Sequence, residues 1–436
     1  MKILLIGNGA REHCIAETFK KNPDNKIFSY IKSKNPGIVS LSEEFVLGDY
    51  SDLGKIEIFA KKIKPDFAFI GPEDPLGYGV VDSLSKMGIS SVGPVKSLAR
   101  LETSKSFTRI LMKKYKIVGN PRFEIFTKEN ISNAKNFLDT ISQCVVKPDG
   151  LTGGKGVKVQ GDHFFTKKEA LDYCSEVLAL HPSVVLEEKF EGEEFSLHCF
   201  CDGKTVAAMP AVQDHKRAYD DDKGPNTGGM GSYSCEDHLL PFLEKSDIEA
   251  GVEMTKKVAK ALYDETGEQY KGVMYAGLIK TKNGVKLVEY NARFGDPETM
   301  NLLPILESDL GEISMAIING ELHKTKIKFK NLATVCKYAV PQGYPENPVK
   351  NKKIEIGKIP KDSRIYYASV DEQKDGLYMG GSRAVAALGI AKQISEAEII
   401  AEKAVNSVKG PVFHRPDIGT EKLLQKRINH MKNLMS

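Results

Sequence analysis

No apolar run in this chain approaches the ~20 residues of a membrane-spanning helix. Its first residues, MKILLIGNGAREH, lead straight into a short strand and turn instead of a long apolar leader. An excess of either charge is also missing: 62 Lys and Arg against 58 Asp and Glu leave a formal charge of +4 with no basic arm or tail. Nothing therefore points to a nucleic-acid or membrane partner, and small acidic molecules remain as partners. Cysteine is sparse and unpatterned. Cys14, Cys144, Cys174, Cys199, Cys201, Cys235 and Cys336 show neither zinc spacing nor a disulfide framework, and none stands beside a His/Asn constellation that would make it a nucleophile. A soluble, cytoplasmic protein with reduced thiols is expected, and 436 residues at 41% hydrophobic suffice for roughly two to four domains.

What the chain does have is one stretch of unusual polarity. Residues 214–231, DHKRAYDDDKGPNTGGMG, combine an imidazole, adjacent cations, aspartates and a glycine-rich turn. Glycine lets backbone amides approach an anion, Lys216 and Arg217 supply charge to phosphate oxygens, and Asp214 and His215 can bond or handle protons. The composition reads as a loop closing over phosphates, with a solvated surface loop as the plainer alternative.

Residues 2–6 read as a buried parallel strand, followed by the turn GNG and a helix from Arg11 to Lys20. A second β-α passage ends in DFAFIGPEDP, placing Gly71-Pro72-Glu73 at the carboxyl end of a strand over 67–70, where open α/β sheets bind ligands. Both loops are expected to face one crevice. Gly7 and Gly9 supply half of a dinucleotide fingerprint, but the third glycine position is Glu12 and the second strand lacks the terminal acid for a ribose, so NAD is disfavoured.

ETSKSFTRILMKKY reads as one helix, and a smaller α+β unit follows: strand 144–148, loop DGLTGGKG over 149–156, helix 167–180 and strand 184–190. Lys147 ends an apolar strand and Lys155 lies in a glycine-rich turn, so two ammonium groups can reach one polyphosphate, although the spacing is not that of a Walker A loop. A plain turn with solvated lysines is the alternative. Segments 272–279 and 285–299 read as neighbouring strands. Glu289 and Asn291, two apart, share a face and can offer oxygen to one hard cation. Apolar Leu287, Val288 and Tyr290 set Glu289 deep in a cleft, where a carboxylate needs a partner such as Mg2+.

In order along the chain, IGNGAREH, GPEDPL, ETSKSFTR, VVKPDGLTGGKGV, LEEKFEGEEFS, QDHKR with GPNTGGMG, YAGL, EYNARFGDPET and RPDIG (415–419) resemble the phosphoribosylamine-glycine ligases, or glycinamide ribonucleotide synthetases, an ATP-grasp family. QDHKR with GPNTGGMG and RFGDPET are the most specific of these. The resemblance implies a multidomain α/β and α+β protein of the ATP-grasp fold. An N-terminal Rossmann-like (pre-ATP-grasp) substrate domain would cover 1–102, an ATP-grasp domain 103–330 with its ATP-lid subdomain at about 121–190, and a C-terminal α+β domain 331–436. It also implies ATP-dependent joining of glycine to 5-phosphoribosylamine through glycyl phosphate, giving glycinamide ribonucleotide, ADP and phosphate in de novo purine biosynthesis. Mg2+ or Mn2+ would be the cofactor, and the chain would act as a monomer or weak dimer. Such phosphoryl transfer relies on positioning and charge neutralisation and needs no enzyme nucleophile.

Carried onto this sequence, the resemblance gives Lys105, Lys147, Gly153, Gly154, Lys155 and Gly156 to the ATP phosphates, Glu187, Glu188, Lys189 and Phe190 to adenine, and Glu194 to the ribose. Glu289 and Asn291 would hold the metal, with Arg293 stabilising charge on the transferring phosphoryl group or a substrate. Asp214, His215 and Lys216, with Gly228, Gly229 and Asp296, would surround glycine and its acyl phosphate. Asn8, Gly9, Gly71, Pro72 and Glu73 would hold phosphoribosylamine, its phosphate near the first helix N-terminus.

Some positions depart from the family pattern. YYASV (366–370) stands where F-H-A-G-T is usual and GSRAVA (381–386) where G-G-R-V-L is common, although Arg383 is kept and could reach a phosphate. Position 277 is glycine where other ATP-grasp enzymes often carry a further metal ligand. A C-terminal helix is expected to open at Ser395 with Glu398 as a capping box and Ile394 and Ile399 as a staple. Alternatives are another ATP-grasp carboxylate-amine ligase, or an ATP-binding regulatory module. The latter predicts loss of a phosphate lysine or metal ligand, and Lys147, Lys155, Glu289 and Asn291 are all present.

Overall fold

A computed structural model describes residues 1–151, 153 and 156–436. Gly154 and Lys155 of the expected phosphate loop lie outside the described residues. The N-terminal strands form a parallel sheet in the order Ser42–Leu47, Lys2–Ile6 flanked by Lys26–Ile31 and Phe67–Ile70, then Ser91–Val92. Helices cover the sheet, so its central strands are buried runs without alternation. Ile3 pairs with Ile27 on one side and Phe67 on the other. The strand order reverses at Lys2–Ile6, and the turns after it and after Phe67–Ile70 open side by side into a switch-point crevice.

The segment ETSKSFTRILMKKY is two helices. Ser104, with an extended φ of −141°, ends Lys96–Thr103 and caps Lys105–Lys114, its hydroxyl accepting from the Phe107 N–H at 3.2 Å. The next sheet is antiparallel, in the order Phe123–Phe126, Val184–Glu188, Cys144–Pro148, Lys158–Val159. With helix Lys167–Leu180 it closes a core of its own around Phe126, Val146, Cys174 and Leu186. A further antiparallel sheet orders Val206–Ala208, Glu193–Cys201, Gly272–Thr281 and Gly284–Asn291. Gly277 pairs with Glu289 and Leu278 with Leu287, which leaves Val288 as a bulge.

The polar stretch is not simply a loop. Gln213–Asp214 and Gly231–Ser234 are strands in one sheet with Ala333–Pro341, Val385–Ala391 and Ser363–Tyr367, so this sheet spans the boundary expected at 330. Between those two strands, Arg217–Tyr219 and Lys223–Asn226 form a hairpin. The helix expected from Ser395 is Ile394–Val405, capped at Gln393 without a side-chain bond, and a further helix, Glu421–Met435, ends the chain. Glu398 does not complete the expected box, because with Glu402 it neutralises the fully buried ammonium of Lys337, at 2.6 and 2.7 Å. Ile399 is exposed and makes no staple. All seven cysteines are buried and free, and no described helix is long and apolar enough to cross a membrane.

Candidate active site

Glu12 decides what the switch-point crevice can hold. Its side chain fills the space between the two turns. A Cβ on Gly7 would lie 2.3 Å from Glu12 Cγ, and one on Gly71 would lie 2.2 Å from Oε1, so both positions need a residue without one. Glu12 Oε2 accepts from the Gly9 N–H at 2.5 Å and Oε1 receives Arg11 Nε at 2.5 Å. A carboxylate thus takes the helix-terminal amide that a dinucleotide pyrophosphate would use. The same contact argues against seating a substrate phosphate there. Asn8 is likewise committed, donating from Nδ2 to Ser33 Oγ at 2.8 Å and accepting from the Ser33 N–H at 3.3 Å, so its side chain fixes the turn.

Glu73 faces the crevice as expected and meets Arg293, whose Nε donates to Glu73 Oε2 at 3.0 Å. The same guanidinium reaches Glu102 Oε1 at 2.6 Å and Asn291 Oδ1 at 3.3 Å. Two carboxylates therefore share one cation. Burial pushes Glu102 up, to about 7, against the pull of Arg293. For Glu73 burial is outweighed by Arg293 and Arg11, and it falls to about 2. Arg293 is already neutralised, so its role is to lock Glu73 and Asn291 in place rather than to present free charge to a phosphoryl group. Asp296 accepts from Tyr338 Oη at 2.6 Å and pairs with Arg383 at 3.2 Å. Arg383 donates to the carbonyls of Gly228, Gly229 and Asp296 at 2.7, 3.0 and 2.9 Å. It is a clamp on the glycine turn, not the free phosphate cation its motif suggested.

On the nucleotide side Lys147 sits in a buried ion triad. Its Nζ is 2.7 Å from Glu187 Oε2, and Arg109 grips both oxygens of Glu187, at 2.6 and 2.9 Å. The bulged Val288 carbonyl accepts from both cations, at 2.9 Å from Lys147 and 2.6 Å from Arg109. Burial lowers the Lys147 pKa, with Glu187 opposing. Glu187 is spent on this triad and cannot also face adenine with its side chain. The Glu188 and Lys189 amides donate to the Arg122 and Gln143 carbonyls, both at 2.9 Å. Glu188 Oε1 accepts from the Arg122 N–H at 2.8 Å, and Lys189 Nζ donates to the Gln160 carbonyl at 2.8 Å. Phe190 is half-buried next to them and Glu194 is exposed, 3.4 Å from Lys216 Nζ. Lys105 Nζ donates to the Gly150 carbonyl at 2.8 Å, at the root of the glycine loop. Gly153 there has a left-handed φ of 58°, and the Gly156 carbonyl accepts from Tyr173 Oη.

The two sides converge on Glu289. Burial would raise its pKa, but Lys216, Lys105, Lys147 and Arg293 hold it below its ordinary value. A carboxylate and the Asn291 amide oxygen two residues apart on one face of a strand suit a hard cation whose remaining ligands are phosphate oxygens and water. Asp214 and Lys216 have Glu289, Glu298 and Glu194 as charged neighbours. Burial lifts Asp214 to about 7, with Lys216 opposing and Glu298 adding to the rise. His215 does not join them. It is 2% exposed, points toward Arg415 and Arg427, and is lowered to about 3 by burial and those cations. Chain alternation turns it to the opposite side from its neighbours.

Glu12, Glu102, Arg109 and Glu298 were not singled out by the sequence reasoning. Glu298 accepts from Tyr275 Oη at 2.6 Å and Ser196 Oγ at 3.1 Å behind Asp214. All four lie inside the quoted motifs, but nothing local marks them as buried.

Family models of the phosphoribosylglycinamide synthetase N domain, ATP-grasp (A) domain and C domain match residues 1–102, 103–299 and 334–421. The chain belongs to the phosphoribosylglycinamide synthetase family. A phosphoribosylamine-glycine ligase of Methanocaldococcus jannaschii is 50% identical, with all of both chains covered. One of Methanosarcina acetivorans is also 50% identical, covering 100% of this chain and 98% of its own. The crystal structure of phosphoribosylamine-glycine ligase from Thermotoga maritima superposes with a TM-score of 0.80 at 28% identity, covering 96% of this chain and all of that one. A biotin carboxylase domain from Hydrogenobacter thermophilus has a TM-score of 0.72 at 15% identity, which places both in the ATP-grasp fold. Members of this synthetase family are thus ATP-grasp ligases that use ATP and a divalent metal.

Proposed function

We propose that the chain joins glycine to 5-phosphoribosylamine at the expense of ATP, giving glycinamide ribonucleotide, ADP and phosphate in de novo purine biosynthesis. The full-length likeness to phosphoribosylamine-glycine ligases supports the reaction. The observation that carries the site is Glu289, a half-buried carboxylate with Lys105, Lys147 and Lys216 from three separate segments as charged neighbours, while Arg293 locks the residues beside it. That is how a cleft neutralises a triphosphate and a developing acyl phosphate together.

In this reading ATP lies between the small antiparallel sheet and the strand Gly284–Asn291. Lys105, Lys147 and the loop 153–156 meet its phosphates, the strand end 188–190 meets adenine through the Phe190 amide and backbone carbonyls, and Glu194 meets the ribose. Glu289 and Asn291 hold Mg2+, or Mn2+ in its place, which neutralises phosphate charge. Asp214, ionised and backed by Glu298, receives the glycine ammonium, while Lys216 and the Gly228-Gly229 amides face its carboxylate. A glycine carboxylate oxygen attacks the γ-phosphorus, ADP leaves, and glycyl phosphate forms. The phosphoribosylamine, lying in the crevice lined by Gly9, Gly71 and Glu73, then attacks the acyl carbon through its nitrogen; phosphate departs and the amine proton passes to a carboxylate or water. Exclusion of bulk water protects the acyl phosphate. We place this chain in the cytoplasm as a monomer or weak dimer.

Glycine labelled with 18O in its carboxylate tests the intermediate. One labelled oxygen is expected in the released phosphate; unlabelled phosphate would rule glycyl phosphate out.

A further inference from the structure

Behind the site, the hairpin 217–226 turns at Asp220-Asp221-Asp222, where Asp221 and Asp222 both take left-handed φ values, 60° and 61°. Non-glycine residues disfavour that shape and keep it only where their surroundings hold it. The C-terminal segment does the holding. The Asp221 N–H donates to Asp417 Oδ2 at 3.0 Å. Arg415, fully buried, donates from Nη1 to Asp222 Oδ1 and to the Arg217 carbonyl, both at 3.1 Å. Arg427, on helix Glu421–Met435, donates from Nη2 to Asp222 Oδ2 at 2.5 Å.

The same Arg427 guanidinium lies 3.4 Å from Glu193 Oε2, and His430 Nδ1 meets Glu193 Oε1 at 2.6 Å. Glu193 and Glu194 are consecutive in one strand, so they face opposite sides. Glu193 is 5% exposed and turned to the helix, whereas Glu194 opens toward Lys216. One side chain of the last helix therefore ties the back of the nucleotide strand to the tip of the hairpin whose base carries Asp214 and Lys216.

We propose that Arg427 is a positioning residue of the ligase reaction: the Asp222–Arg427–Glu193 bridge sets the hairpin, and through it Lys216 and Asp214, against the nucleotide strand. This rests on the ligase reading above. Among the described residues Arg427 pairs with Asp222 and Glu193, and the buried His215 lies near it.

The test compares R427A, R427K, D222N and the double variant R427A/D222N in the full chain. Three quantities are measured: thermal midpoint, amide hydrogen exchange over 217–226, and kcat and KM for glycine and ATP. R427A and D222N are each expected to speed hairpin exchange and to lower kcat/KM for glycine by about tenfold or more. The double variant should lose clearly less than the product of the two single losses, because both changes cut the Asp222–Arg427 contact, although each also removes one of its own, Asp222–Arg415 and Arg427–Glu193. R427K should recover part of the loss by restoring the charge. Wild-type exchange and kcat/KM in R427A and D222N would overturn the proposal, as would independent, multiplying losses in the double variant. If R427A does not fold, D222N and R427K still decide it. Should the wild-type chain make no glycinamide ribonucleotide, the ligase reading fails, whereas unchanged hairpin exchange with an intact ligase removes the bridge alone.

Discussion

At the scale of single residues, the site is organised by charges that occupy space as much as they carry it. Glu12 shows this most directly. A methyl at position 71 would drive into its carboxylate at 2.2 Å, so Gly71→Ala is expected to displace Glu12, release Arg11, and cut phosphoribosylamine-dependent turnover far more than ATP affinity. Separate KM values for ATP and the amine check this. Glu289→Gln is expected to abolish ATP turnover while the chain still folds, with at most a modest fall in thermal midpoint, since it removes the carboxylate among the cations but keeps its volume; wild-type kcat would remove the metal assignment. Asp214, lifted to about 7, makes a pH prediction. If its ionised form receives the glycine ammonium, kcat/KM for glycine rises with pH through about 7, and Asp214→Asn loses both that limb and most of the activity. The shared face of Glu289 and Asn291 was legible in the sequence because a two-residue spacing in a strand fixes direction, whereas the apolar flanks overstated depth: Glu289 is half-buried. Arg109 and Glu102 were not, since their burial depends on Glu187, 78 residues away from Arg109, and on Arg293.

Elements were legible where one pattern ruled and illegible where partners from afar intervened. The parallel strands and their two turns follow from apolar runs ending in glycine. The helix expected over ETSKSFTRILMKKY hid a break, because Ser104 reads as an unremarkable helix residue until Asp149 draws Ser106 and Ser104 together at the new N-terminus. Ser104→Ala is expected to cost about 1 kcal/mol, the worth of an N-cap, in urea unfolding. The polar stretch 214–231 was read as a loop for its charge and glycine content, yet its ends pair into the C-terminal sheet and its middle into a hairpin. Short strands of this kind carry few apolar residues, so hydropathy cannot reveal them. The tyrosines of YYASV likewise make contacts that sequence cannot show. Tyr366 Oη bonds Glu17, and Tyr367 stacks on His13 with its N–H donating to Nδ1 at 3.1 Å.

At the scale of the whole molecule, charge pairs join segments distant in sequence, and the protein should answer to acid accordingly. Glu73 and Asp222 are held at about 2, against ordinary values of 4.5 and 3.8: burial opposes ionisation in both, and Arg293 with Arg11, and Arg427 with Arg415, outweigh it. Folded-state values below the unfolded ones mean that their contribution is complete above about 4.5 and is lost as pH falls toward 2, where the unfolded chain binds the extra protons. The urea midpoint is therefore expected to fall steeply below pH 4.5, and less steeply in Asp222→Asn. The shared sheet makes the C-terminal region part of the site rather than an appendage, since Arg383, Arg415 and Arg427 all reach back to residues 217–229. The most direct test of the central claim is ADP and phosphate release with Mg-ATP, omitting glycine and freshly generated phosphoribosylamine in turn, with mass detection of the product. Turnover that requires both and yields glycinamide ribonucleotide is the expected result. Turnover with a different acid or amine, or none with this pair, would contradict the account.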